Sequence, residues 1–176
     1  METNYKKKAA SLGLILGVIL ALITASGYAI DYTILVNPWL GVGIFLAIIG
    51  FGIVGSAYAK KYNNGFASFK EAFTGFFITI AIGIAISTLA NFILFGLIDT
   101  EAATQVSELV TEAQLDGMEN WGAPQEAIEQ AAEKLDGYNH YSFTNLIQGC
   151  FGYIVVMSIF GLIIALIMKR KDPNAA

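Results

Sequence analysis

Four places in the chain carry residue types that could do chemistry. Lys70 and Glu71 stand side by side among the phenylalanines of Asn63–Phe77, and a neighbouring cation and carboxylate could serve as acid and base. Glu108, Glu112 and Asp116 recur every fourth residue, a spacing that lines three carboxylates along one helix face. Such a face could meet a cationic partner or loosely hold a divalent cation. His140 is the lone histidine and Cys150 the lone cysteine; the first could sense pH.

Each group also has a plainer reading. Adjacent helical residues point about 100° apart, so Lys70 and Glu71 do not converge on one substrate. Ser68 and Glu71, three residues apart, instead match a capping box that starts a helix. Lys70 can then snorkel toward headgroups while Phe66, Phe69, Phe73, Phe76 and Phe77 anchor the helix entry in the interface and against neighbours. The three acids lack the D-x-[DN]-x-[DN]-G loop of a calcium site, and a solvated face accounts for them. His140 is expected to be an exposed loop residue, and Cys150 a small apolar filler. No G-x-S-x-G, P-loop, H-E-x-x-H or cysteine pair occurs. The expectation is therefore no enzyme, with no catalytic residue, cofactor, metal or nucleic-acid partner.

The elements that hold these residues follow from composition. The chain is 56% hydrophobic and 14% charged, with mean hydropathy +0.62, against about 45–50% and ~25% for a soluble domain. The excess is segregated. Ala9–Ile30, Pro38–Ala59, Ala72–Ile98 and Thr144–Met168 contain no ionisable acid, base or histidine, and about 20 apolar residues suffice to span a bilayer. The expected fold class is an all-α membrane protein with four transmembrane helices and an acidic helical hairpin outside, in the segment 99–143.

Charge sets the orientation. Nine of the ten Lys and Arg residues fall at the N-terminus, the second connection or the C-terminus. Basic residues mark the cytoplasmic side, so both termini are expected inside. One basic and eleven acidic residues remain for the outer side, and the low pI of 4.9 comes from them. The first span resembles a signal peptide in its lysines and in small residues at Ala25, Ser26 and Gly27. Its apolar run exceeds the usual 7–15 residues, so it is expected to be retained. Cleavage would leave three spans in the same orientation.

Two stripes of small residues run along the spans: Gly13, Gly17, Ala21 and Ala25 on the first, and Gly75, Thr79, Gly83, Ser87 and Asn91 on the third. Small residues let helix backbones approach in lipid, and both stripes are expected to be packing seams, with Asn91 bonded across the bundle or to Ser87. Tyr5, Tyr28, Tyr32, Trp39, Tyr58 and Tyr62 are placed as an aromatic belt. Outside the spans, Ala102, Val106, Leu109, Val110, Ala113 and Met118 follow helical spacing up to a break at Asn120–Ala123. Ile128, Ala131 and Leu135 form the apolar side of a second helix that Gly137 ends.

The motifs Gly65-Phe66, Phe69–Phe73, Ile98-Asp99-Thr100-Glu101 and Gly122–Glu126, ordered among four spans and a basic tail, resemble domain-of-unknown-function family 4199. Thr100 departs from the proline frequent at its position in that family. The resemblance implies a small four-span protein of the bacterial inner membrane, found mainly in Bacteroidota, with no established activity and no catalytic residue to carry over. The function expected is an accessory or scaffold subunit embedded in the lipid bilayer, with a second copy or another membrane protein as partner. The alternative is a small transporter or channel component acting as an oligomer.

A cytoplasm-active reporter fused after Ala176 should be active, and one inserted near Asn120 should report the opposite compartment. The reverse pair of signals would overturn the orientation.

Overall fold

The computed structural model describes residues 2–170; Lys171 and Asp172, part of the basic tail, lie outside the described residues. Six α-helices run in order among the described residues: α1 (Glu2–Ile30), α2 (Pro38–Tyr62), α3 (Phe69–Asn91), α4 (Thr100–Asn120), α5 (Gln125–Leu135) and α6 (Phe143–Met168). Among the described residues, four helical stretches are long and apolar enough to cross a membrane: Asn4–Ile30, Pro38–Tyr62, Phe69–Ile98 and Phe143–Met168. They form an antiparallel bundle with α4 and α5 at one end, the capped end, and the start of α1 and the end of α6 at the other.

The helices overrun the uncharged segments. Lys6, Lys7 and Lys8 are helical in α1, and Lys60 and Lys61 close α2. A helix that has satisfied its backbone in lipid gains nothing by stopping at the interface, so capping residues set the ends. Asn37 accepts from the Trp39 amide at 2.9 Å, and Pro38 takes the first position of α2. Asp31 caps a single turn of 3-10 helix, Tyr32–Val36, by accepting from the Thr33 amide at 2.8 Å. Asn64 (φ 52°) and Gly65 (φ 88°) turn the chain between α2 and α3 in the left-handed region that glycine tolerates.

The third span is not one regular helix. Phe92–Ile98 is a π-helix in which the Asp99 amide bonds to the Leu94 carbonyl at 2.9 Å. The wider turn brings Phe95 to full burial under α4, among Ala102, Ala103 and Val106.

At the centre stands α3, packed against α1, α2 and α6. A Cβ at Gly75 would drive into the Gly55 carbonyl oxygen on α2, and one at Gly83 would meet Leu16 of α1 at 2.6 Å. From the α1 side, a Cβ on Gly13 would lie 2.7 Å from the Thr79 carbonyl oxygen, and one on Gly17 would lie 2.6 Å from Ile86. The Thr79 hydroxyl is buried and reaches the Ala9 carbonyl of α1 at 3.1 Å; the buried Ser56 hydroxyl donates to the Ala72 carbonyl at 2.8 Å. The stripe does not continue as a seam. Ala25 is exposed, and Ser87 and Asn91 lie where α3 parts from its neighbours, half-buried.

Of the phenylalanines expected to anchor the helix entry in the interface and against neighbours, Phe76 takes the second role, fully buried against Gly52 of α2 and Gly161 of α6. With Leu16, Ile48, Ile80 and Met157 it forms the core of the bundle. Phe69, Phe73 and Phe77 stack in a column, with centroids 6.3 and 5.9 Å apart. Tyr5 is a correction to the aromatic belt: it is buried beside Ala59 and Ala67. Trp39 stays 83% exposed at the start of α2, as an interfacial ring would be.

Gly75→Ala should destabilise the bundle by about 1–3 kcal/mol, the usual effect of overpacking. Gly50→Ala, where an added Cβ meets nothing within 4 Å, should leave the unfolding midpoint in detergent unchanged or raised. Equal losses from the two changes would contradict this α2–α3 seam.

Candidate functional site

Ser68 and Glu71 form a reciprocal capping box. Glu71 accepts from the Ser68 amide at 2.7 Å and from its hydroxyl at 2.8 Å, while its other carboxylate oxygen accepts from the Asn63 side chain at 2.7 Å. Glu71 thus ties the end of α2 to the start of α3, and its acceptors are engaged by neutral donors. Lys70 points away and is exposed.

At the capped end, Asp99 has a comparable role that spacing alone did not assign. One of its oxygens caps α4 by accepting from the Ala102 amide at 2.9 Å; the other accepts from the Tyr28 hydroxyl of α1 at 2.8 Å. These two bonds, the amide first, hold its carboxyl below the usual range. Tyr28 also lies edge-on to Phe95, whose other neighbour is Tyr141, at centroid distances of 5.9 and 4.4 Å. Burial pushes the Tyr141 hydroxyl up to about 12. The I-D-x-E motif carried a signal for Asp99, since aspartate just before a helix is a capping residue.

The buried stripe of α4 departs from its apolar spacing. Ala102, Ala103, Val106 and Ser107 are buried, while Leu109 lies half-exposed at the edge. Hydropathy overlooks Ser107, which is buried because it has a partner: its hydroxyl accepts from the His140 amide at 3.1 Å. His140 is not the exposed loop residue expected. Its Nε2 lies 3.3 Å from the Thr111 hydroxyl, its ring sits edge-on to Tyr138 at 4.8 Å, and burial lowers its pKa.

Glu108, Glu112 and Asp116 are exposed along α4. With Glu133 and Asp136 they line a groove of about 960 Å³ between α4 and the α5 side. Among the described residues, no three His, Cys, Asp or Glu side chains are grouped to hold a metal ion. A second space, about 860 Å³, opens inside the capped half of the bundle, with walls from α1, α2, α3 and α6. Ser87, Asn91, His140 and Cys150 all line it. Asn91 donates to the Ser87 backbone carbonyl at 2.8 Å rather than across the bundle.

Residues 11–170, a stretch holding the whole cap and nearly all of the four spans, match the family described as protein of unknown function (DUF4199). The chain belongs to the DUF4199 family. No curated protein and no solved structure matches it. In this DUF4199 protein the motif residues fall at joints. Glu71 closes the loop at the end that carries the termini, and Asp99 closes the cap.

Because burial favours neutral His140, the folded cap takes up a proton less readily than the opened one. The His140–Ser107 contact should therefore be full above the ordinary histidine pKa, about 6.5, and weaken as pH falls below it. Amide exchange at His140, corrected for its intrinsic pH dependence, should accelerate on acidification, and His140→Gln should flatten the response. An unchanged wild-type profile would exclude the coupling.

Proposed function

We propose that this protein is a non-enzymatic interaction subunit of the bacterial inner membrane, with both termini cytoplasmic and α4–α5 outside. Its bundle anchors the chain in the bilayer, and its acidic face meets a cationic protein surface. The orientation rests on the basic residues, which gather at the end carrying the termini.

One observation carries this reading. α5 has no buried residue and rests on α4, yet between them they hold five carboxylates along one open groove. Like charges four apart cost an isolated helix about 0.2–0.5 kcal/mol per pair, and Lys134 is the sole basic residue of the segment. A face that repels itself and packs nothing is suited to an oppositely charged surface. A second copy of the chain, packed through the bundle, is the simplest membrane partner.

A small transporter or channel component is the second reading, favoured by the space within the capped half. The core of Leu16, Phe76, Ile80 and Met157 closes the bundle beyond it, so conduction would require an oligomer.

Replacing Glu108 and Glu112 by Gln and Asp116 by Asn should release the partner in pull-downs and leave the bundle folded. Raising salt should weaken wild-type recovery, because exposed attraction fades beyond ~8 Å at physiological ionic strength. Identical recovery of wild type and variant at both salts would rule out this face.

A further inference from the structure

Two features mark the space inside the capped half. At Gly55 and Gly75 glycines let backbones touch. Here Gly41 on α2 and Gly149 and Gly152 on α6 line the space, and a Cβ added at any of them would meet nothing within 4 Å. The polar groups also differ. The hydroxyls of Ser26, Ser56, Thr79 and Ser158 are tied to backbone carbonyls, the usual fate of a hydroxyl in a spanning helix. Those of Thr24, Ser87 and Thr88, all lining the space, make no protein hydrogen bond among the described residues. No fully buried side-chain polar atom among the described residues lacks a partner, so these hydroxyls reach the open volume.

The walls mix apolar side chains with the polar Asn91, His140, Asn145 and Gln148, and they carry no Asp, Glu, Lys or Arg. The volume of about 860 Å³ falls in the range of about 300–1,000 Å³ that suits a small molecule. A charged ligand would lose its hydration with no Asp, Glu, Lys or Arg to replace it, and burial favours the neutral form of His140. A pure hydrocarbon would leave the hydroxyls without partners.

We propose that this cavity is a binding site for a neutral amphiphile. An apolar chain lies between α2 and α6, and hydroxyl or carbonyl groups bond to Ser87, Thr88 and Thr24. The ligand enters from the bilayer or from the water beyond the cap; the chemistry is the same. The α2 and α6 helices touch lightly and meet at the edge-to-face pair Phe45–Phe160, 5.4 Å between centroids.

The test is photoaffinity labelling of the full-length protein in phosphatidylcholine nanodiscs with diazirine-bearing monoacylglycerols. A long-chain probe is mixed into the bilayer, and a short-chain probe is added from water. Saturable labelling of peptides covering residues 84–91 and 145–153 is expected from at least one, and the arm that labels identifies the source. Gly152→Leu should narrow the space beside Gly149 and weaken labelling without changing the unfolding midpoint. Ser87→Ala, which removes one hydroxyl, should weaken binding about threefold to tenfold and decides the matter should the leucine variant unfold. A fatty acid of the same chain length should not compete above the ordinary histidine pKa, since its carboxylate finds no Lys or Arg and a neutral His140. Labelling that rises linearly with probe and spreads over bilayer-facing residues such as Ile159 and Leu166 would overturn the proposal. So would labelling that Gly152→Leu and Ser87→Ala leave unchanged, or that fatty acid displaces equally well.

Discussion

Everything in this bundle depends on how closely α3 approaches its neighbours. In lipid no hydrophobic effect draws helices together, because the tails are as apolar as the side chains. Association must come from contact and hydrogen bonds. Facing glycines on α2 and α3 bring two backbones together at Gly55 and Gly75, and Thr79 and Ser56 add hydroxyl bonds to backbone carbonyls there. Gly13, Gly17 and Gly83 do the same for α1 and α3. With α3 committed to two partners at once, α6 is held mainly through the α3 face around Phe73 and Phe76 that Gly161 meets.

That arrangement makes the two ends of the bundle unlike. Toward the termini, Phe76 fills the space between α2, α3 and α6, and Leu16, Ile80 and Met157 complete a dense core. Toward the cap the small stripe of α3 changes to Ser87 and Asn91, which line the open space. The cavity exists because small residues continue after close packing has ended. A small residue is thus a seam only where another helix supplies the facing atoms.

The two carboxylates Glu71 and Asp99 are the joints. Each accepts from a helix-starting amide and from a side chain on another segment, so each fixes a local cap and a long-range contact with the same group. Charge-assisted bonds of this kind are about twice as strong as neutral ones. The cap is then completed by aromatic packing, Tyr28 and Tyr141 on Phe95, which requires the π-helical turn to point Phe95 inward.

What the residues determined by themselves is whatever follows from local rules. The four spans, the caps at Asn37 and Ser68, the turn at Asn64-Gly65 and the break after Asn120 are written in runs of a few residues, since backbone hydrogen bonding and helix starts are local. Only tertiary structure decided which members of a stripe meet a neighbour. Gly75 and Gly83 abut a neighbouring helix, Ser87 and Asn91 line the open space, and all four share one spacing. It also decided that Phe76 and Tyr5 are core rather than interface, because an aromatic near a span end reads the same whether lipid or another helix covers it. Ser107 and His140 were legible only as polar residues. Their burial depends on finding each other across 33 positions of chain, a pairing that no local pattern encodes.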